Sequence, residues 1–490
     1  MRSYLLLGLT LALSCDAFRR ANPEYCNTNT PCSSDAVCNL SLTRCVPKSA
    51  LPTSGGPMLI SISPDTARPL AQTMVTLTGT QLSDVSGVII GGMPASVQSI
   101  TATQITATLP SLPGACGRLP VSLQTLDGQV HTSAVTMRIQ PTNLAFTSVP
   151  GQPTLAGSIM AAAPLDGDDL SELVIGTSGL NSLTLLQGAQ TGVFVKKAAV
   201  TVGYPPKQIV FADIDQDGRS EILTGDGSKS IDRYFVNAAL GLMAGVGAQI
   251  THGSFAIGRF DGDLFFDMVY VSMADSVINI AIPSGVNLLE TLQSSLMKVA
   301  TGKTPQSILM SDLNLDKKND VACITDMNTV SIHLNNGTAA LPVNNITVCT
   351  NPDRLFTGDI DGDGSPDLVV TCGTDTPNSE LSVIFGSASG SFSASKAVKT
   401  APNLHSFVVA DLNCDGKSEI ISNSAGQAGL TVTSDISMAG SATSKLIALP
   451  IADQIGDIAI GKFNDDTAPD IGIVFSGSAG GFVVMKNISD

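Results

Sequence analysis

The chain has no tryptophan, only five tyrosines and four histidines among 490 residues, and just 14% of it is charged. The histidines, His131, His252, His333 and His405, are scattered and form neither a metal cluster nor a triad. There is no G-x-S-x-G elbow and no phosphate-binding P-loop, so neither of those catalytic signatures supports an enzyme reading. Beyond the N-terminus, no stretch reaches the roughly 18 continuous apolar residues of a membrane-spanning helix. Basic residues are also scarce. With 26 Lys and Arg against 42 Asp and Glu, the net charge is −16, which argues against a nucleic-acid partner. What the chain does have is Gly, Ser, Thr and Val in short runs broken by turn residues, the composition of an all-β protein.

The acids are not spread evenly. In Gly358–Val370, Asp359, Asp361, Asp363 and Asp367 stand at positions 1, 3, 5 and 9 of one short loop, with Gly364 at position 6. Hard cations such as calcium take six to eight oxygen ligands, and a sharply turned loop can present alternate carboxylates inward. The pattern occurs seven times, at intervals of 46 to 53 residues. Position 5 is Asp168, Asp217, Asp263, Asp316, Asp363, Asp415 and Asp466. Position 3 is Asp166, Asp215, Asp261, Asn314, Asp361, Asn413 and Asn464. Position 9 is Glu172, Glu221, Asp267, Asp320, Asp367, Glu419 and Asp470. Before position 1 there is always a small residue: Ala163, Ala212, Gly258, Ser311, Gly358, Ala410 and Gly461. Seven units near fifty residues have the spacing of propeller blades. The small residue is expected to lie on an innermost strand crowded at a central axis. The flanking runs are strand-like and position 9 replaces position 12 as the closing acid, so the loops are not EF-hands.

Four loops have an oxygen donor at every ligand position. They are Asp213, Asp215, Asp217 and Glu221; Asp312, Asn314, Asp316 and Asp320; Asp359, Asp361, Asp363 and Asp367; and Asp411, Asn413, Asp415 and Glu419. Asp and Gly favour turns with or without metal, but carboxylates gathered in one turn repel unless a cation relieves them. About four calcium sites are therefore expected. The loop at Asp312 carries Lys317 where the others have glycine. The remaining three loops begin with Pro164, Arg259 and Lys462, and in the latter two the basic side chain is expected to replace the ion.

The N-terminus reads as an export signal. Arg2 precedes an apolar run from Tyr4 to Leu13 that is too short to span a bilayer, and the run ends at Ala12-Leu13-Ser14-Cys15. That end resembles a bacterial lipobox, which implies acylation of Cys15 and a membrane anchor on an exported protein of the cell envelope or outer surface. Residues 16–57 form a spacer and linker. Its Cys26, Cys32, Cys38 and Cys45 are expected to pair as two disulfides, the usual staple of an exported segment too small for a core. Cys116 has no evident partner, and Cys349 could pair with Cys372 across neighbouring strands. Cys116, Cys323, Cys349, Cys372 and Cys414 are an odd set, so one thiol should stay free within the chain.

Residues 58–140 read as six or seven short strands of a small immunoglobulin-like β-sandwich. Their stretches ISISP, VTLTGTQL, VIIGG and ITATLP resemble the IPT/TIG family, whose modules are mostly stalks and protein-contact domains. Residues 142–490 hold the repeats. FADIDQDGRSEILTG (211–225) and FTGDIDGDGSPDLVV (356–370) resemble FG-GAP/VCBS repeats, the blades of the integrin α-subunit propeller. The fold implied is a seven-bladed β-propeller, with each cation loop joining the first two strands of a blade. The last unit is one strand short, and Leu144–Val149 is expected to close the ring. The function implied is non-enzymatic recognition or adhesion toward an extracellular protein or glycan. The competing readings are a polysaccharide lyase or hydrolase with its site at the channel, and a purely structural envelope protein.

Overall fold

The computed structural model describes residues 36–39, 44–47 and 56–489, apart from 127, 156, 178–179, 273–275, 284, 287, 293–295, 302–304, 338–340, 375, 378, 399–402, 428, 439–441, 451–452 and 477–480. Cys15, Cys26 and Cys32 lie outside the described residues, and the expected acylation and spacer disulfides with them. Cys38 and Cys45 face each other in the backbone register of a short hairpin, Ala36–Asn39 with Arg44–Pro47, and their side chains lie outside the description.

From Met58 to Ile139, eight strands wrap around one apolar core. Every strand read from the sequence is present, together with the two-residue Thr66–Ala67 and with Met93–Ile100, whose largely exposed residues give little apolar periodicity. Alternation carries the packing. In Met74–Thr80, Val75 and Leu77 are fully buried while Met74 points outward, as the period-2 geometry of a strand requires.

Seven antiparallel sheets follow, each built outward from an inner strand. Six use consecutive strands, as in Ile308–Ser311, Asp320–Asp326, Thr329–His333 and Val343–Thr347. The seventh joins Ile455–Gly461, Asp470–Phe475 and Gly481–Asn487 to Phe146–Val149 from the start of the domain. The expected closure is therefore present: the first strand of the domain becomes the outermost strand of the last blade and ties the two ends of the ring together.

In every blade the small residue ends the inner strand and pairs directly with the position-9 acid that opens the second: Ala163 with Glu172, Gly358 with Asp367, Gly461 with Asp470. Its size is set less by the axis than by the neighbouring blade. A Cβ at Gly358 would come within 2.8 Å of Ser418 Oγ, and one at Gly258 within 2.2 Å of Asn319 Nδ2. Ser418 and Asn319 both occupy position 8 of the next blade's loop. That same position ties blades together through its amide: Ser171 N donates to Lys462 O, Asn319 N to Arg259 O, and Ser418 N to Asp359 O.

Two disulfides fix longer-range relations. Cys349–Cys372 links the segment leaving the fourth blade to the second strand of the fifth. Cys116–Cys414 joins the sandwich to the sixth blade across 298 residues of sequence, giving Cys116 the partner that its surroundings in sequence did not reveal. Cys323 is the remaining thiol of the odd set; it is buried and free, and burial pushes its pKa up to about 12.

Around Cys116 the sandwich lies on the loops of blades six and seven. Thr467 N and Ala468 N donate to Gly114 O, Cys116 N donates to Thr467 Oγ1, and Arg138 Nη2 donates to Cys414 O. Gly114 has φ +69°, and a Cβ there would lie 2.3 Å from Asp466 Oδ2. Gly114→Ala is expected to lower the thermal midpoint by several degrees through this clash and the left-handed backbone, an effect of about 2 kcal/mol. The measurement is calorimetry beside Gly128→Ala, which has open space and a similar φ.

Candidate metal centre

The acidic loops are built by their own side chains before any ion is considered. In all seven, the position-3 side-chain oxygen accepts from the position-5 amide, as Asp215 Oδ1 does from Asp217 N at 3.2 Å. In all seven, the position-5 carboxylate accepts from the position-7 amide, as Asp363 Oδ1 does from Ser365 N at 2.6 Å. These are Asx turns, and they explain why position 5 is aspartate even in loops that lack a donor at position 1.

The position-9 acid is a latch. One of its oxygens accepts from the position-2 amide in every loop, at 2.5 to 3.2 Å. In three blades its other oxygen accepts from an amide at the end of the third strand or two residues beyond it: Asn335 N, Gly386 N and Asn487 N. One carboxylate thus ties together loop, second strand and third strand. Asn335 and Asn487 extend the tie across blades, because their Nδ2 groups donate to Phe260 O and Leu412 O, position-2 carbonyls of the preceding loops. Sequence reasoning missed these asparagines; their place near the end of a third strand, 15 and 17 residues after the position-9 acid, is the signal that could have found them.

Position 1 separates the loops into two conformations. Asp213, Asp312, Asp359 and Asp411 each accept from the position-6 amide, at 2.8 to 3.0 Å. To deliver that amide, position 6 turns left-handed: Gly218 φ 91°, Lys317 φ 75°, Gly364 φ 90° and Gly416 φ 89°. The loops beginning with Pro164, Arg259 and Lys462 have no positive φ at position 6. The split into four and three read from the sequence is therefore also a split in backbone geometry. Lys317 adopts this conformation without being glycine, so Lys317→Gly is expected to stabilise the protein by about 1 kcal/mol. A chemical-denaturation midpoint that does not rise would contradict the assignment.

Carboxylate oxygens converge within 4.8 Å in three loops: Asp213, Asp215 and Glu221; Asp359, Asp361 and Asp367; and Asp166, Asp168 and Glu172. These clusters could hold a metal ion. The third was not among the sequence-derived sites, since Pro164 supplies no side-chain donor, yet positions 3, 5 and 9 still gather. At Asp312 and Asp411 the position-3 residue is an amide, and its Nδ2 turns to acids of its own loop: Asn314 to Asp316 at 3.3 Å, and Asn413 to Asp415 and Glu419 at 3.3 Å each.

Burial makes these acids hard to ionise. Removal from water raises Glu172, Glu221 and Asp470 to about 7, and Asp367 to about 8, against the lowering effect of the amides that bond them. Neighbouring carboxylates push Glu221 and Asp367 further up. Asp213 Oδ1 and Glu172 Oε1 are buried without a hydrogen-bond partner, and a cation would satisfy both.

In the loops with a basic position 1, the expected substitution of side chain for ion takes a different form. At the seventh loop the ammonium beside the acids is Lys486, on the third strand, with Nζ 3.2 Å from Asp466 Oδ2. At the third loop the Arg259 guanidinium lies over the Phe266 ring, 5.3 Å from its centroid. Lys486 is 24 residues away from Lys462 in sequence, so only the sheet register brings it to the loop.

Residues 165–224, 312–370 and 359–422 match the FG-GAP-like repeat, and residues 57–139 match the IPT/TIG domain. No curated protein matches the chain. Solved structures with a similar course of the chain include BBS1N in complex with ARL6DN, at 13% identity over 71% of this chain and 96% of that one, TM-score 0.48. Another is an auxiliary nutrient binding protein from Bacteroides ovatus, at 10% identity, 88% and 98% coverage, TM-score 0.37. A third is virginiamycin B lyase from Staphylococcus aureus, at 12% identity, 70% and 98% coverage, TM-score 0.42.

Proposed function

We propose, for a chain built of FG-GAP-like repeats and an IPT/TIG domain, a calcium-stabilised recognition head displayed outside the cell. The observation that carries the calcium reading is the convergence of half-exposed carboxylates on a buried position-9 acid, in the loops at Asp213 and Asp359, whose position-1 acid is already cradled by a left-handed amide. All-oxygen, carboxylate-rich donor sets suit calcium rather than a softer metal. The loops at Asp213, Asp312, Asp359 and Asp411 would each hold one ion, with the role of bracing the first two strands of a blade.

Calorimetric titration of the chelated protein is expected to count about four calcium sites, and Asp215→Ala or Asp363→Ala to remove one each. A count of six or seven would show that the loops at Arg259 and Lys462 bind as well, against this reading.

Two disulfides and the FG-GAP/TIG pairing fit an extracellular protein, and among the described residues no helix is long and apolar enough to cross a membrane. The export signal and acylation at Cys15 complete the proposal: the anchor holds the spacer and sandwich, and they hold the propeller away from the surface. The ligand would be a protein or glycan bound on a propeller face. A glycan and protein array probed with and without EDTA, beside a polysaccharide-degradation assay, separates the readings. Retention without turnover supports recognition, and release of shortened saccharides would replace it with a lyase or hydrolase.

A further inference from the structure

The propeller axis is open as a cavity of about 1010 Å³, walled by the inner strands of the blades. Its character changes along its length. Counting back from the small residue that ends each inner strand, the fourth residue places Gln208, Ser254, Ser307, Arg354 and Asp457 on the wall, with Ile159 as the one apolar member in the first blade. These form a polar mouth on the face away from the acidic loops. The second residue back places Ala256, Leu309, Phe356 and Val408 there, all half-exposed to the cavity and all apolar. Solvent-exposed apolar walls behind a polar rim are the usual make-up of a small-molecule site, which typically encloses about 300 to 1,000 Å³.

The charges at the mouth are unequally engaged. Asp457 accepts from Met160 N, Ile458 N and Ser406 Oγ. Asp353 accepts from Thr371 Oγ1 and Thr374 N. Gln208 is occupied by both backbone groups of Phe255. Arg354 and Lys207 are exposed on the same rim, and among the described residues neither has a side-chain hydrogen bond or an ion pair within 4 Å; the Arg354 charge acts on Asp457, whose oxygens are already hydrogen-bonded. The acids at the mouth are thus spent on the protein, while the cations remain available to something else.

We propose that the channel is a binding site for an amphipathic anion, with an unbranched apolar tail along the wall and an anionic head at Arg354 and Lys207. From the polar ring to the strand end is four residues, roughly 13 Å of wall, which is the span of an extended chain of about ten carbons. A guanidinium suits a carboxylate, sulfonate or phosphate head equally well. This site is separate from the outer faces proposed above for a protein or glycan, and it does not depend on that reading.

The test is calorimetry on the calcium-loaded full chain with decane-1-sulfonate below its micellar concentration, compared with decan-1-ol and decyltrimethylammonium. Expected are one saturable site per chain, a raised melting midpoint, and binding about tenfold tighter than the alcohol. In Arg354→Gln/Lys207→Gln the preference for the anion should disappear while the alcohol still binds. Ala256→Phe, which fills the wall, should abolish both. Absence of 1:1 saturation, a melting midpoint lowered by the sulfonate, or equal binding of the ammonium would each overturn the proposal. The head-group comparison needs no variant, so it stands even where Ala256→Phe misfolds. A negative array with a positive titration would retain this site and sink the macromolecular reading, and the reverse pattern would do the opposite.

Discussion

Stripped of divalent cations, the protein is expected to lose stability as pH rises from about 5 to 8, and millimolar calcium to remove most of that loss. The sign follows from the position-9 acids. Removal from water holds Glu221 and Asp267 at about 7 in the folded chain, against ordinary values of 4.5 and 3.8. Between the two sets of values the folded state keeps protons that the unfolded state has released. Their stabilising contribution is complete below about pH 4 and is lost as pH passes through 7. A tenfold difference in proton affinity between the two states corresponds to about 1.4 kcal/mol, so each such loop can change stability by a few kcal/mol. Calcium binds the ionised form and adds about 2.7 kcal/mol per site at a hundredfold excess over Kd. The gap between calcium and EDTA melting curves should therefore widen with pH.

The loops at Arg259 and Lys462 supply an internal control. They are not expected to take calcium, and neither is the loop at Pro164, so whatever pH dependence survives saturation should belong to Glu172, Asp267 and Asp470. Asp267→Asn is expected to reduce that remainder and to raise the midpoint at pH 8. Stability that instead climbs with pH in EDTA would mean that these acids ionise freely in the fold, and the cation would have little repulsion to relieve.

The second large effect is expected from Cys116→Ser/Cys414→Ser. A cross-link spanning 298 residues removes far more freedom from the unfolded chain than one spanning 23. On the chain-entropy account the difference is about 5 to 6 kcal/mol against about 3 for Cys349–Cys372, both upper figures. The variant should also free the sandwich to move, since the described docking then rests on a few hydrogen bonds around Gly114, Arg138 and Thr467. Limited proteolysis should cut between Gln140 and Phe146 in the variant and spare the parent. Identical denaturation midpoints and cleavage patterns would show that the non-covalent contacts alone hold the two domains together.

The sequence by itself determined the repeat, the strand class, the closing strand and the division of the loops. Each depends on residues close in the chain: an acid every second position, a small residue before it, an apolar run after it. Local spacing also specified the Asx turns and, through Asp at position 1, the left-handed residue five places on. Tertiary structure decided what touches each loop from outside. Lys486 beside Asp466, Asn335 and Asn487 bridging adjacent blades, and Cys116 bonded to Cys414 all join residues whose separation carries no periodic signal. They meet because sheet register and ring closure place them together. The channel follows the same logic: only the ring of inner strands brings Arg354 and Lys207, from different blades, to one cavity that no single segment contains.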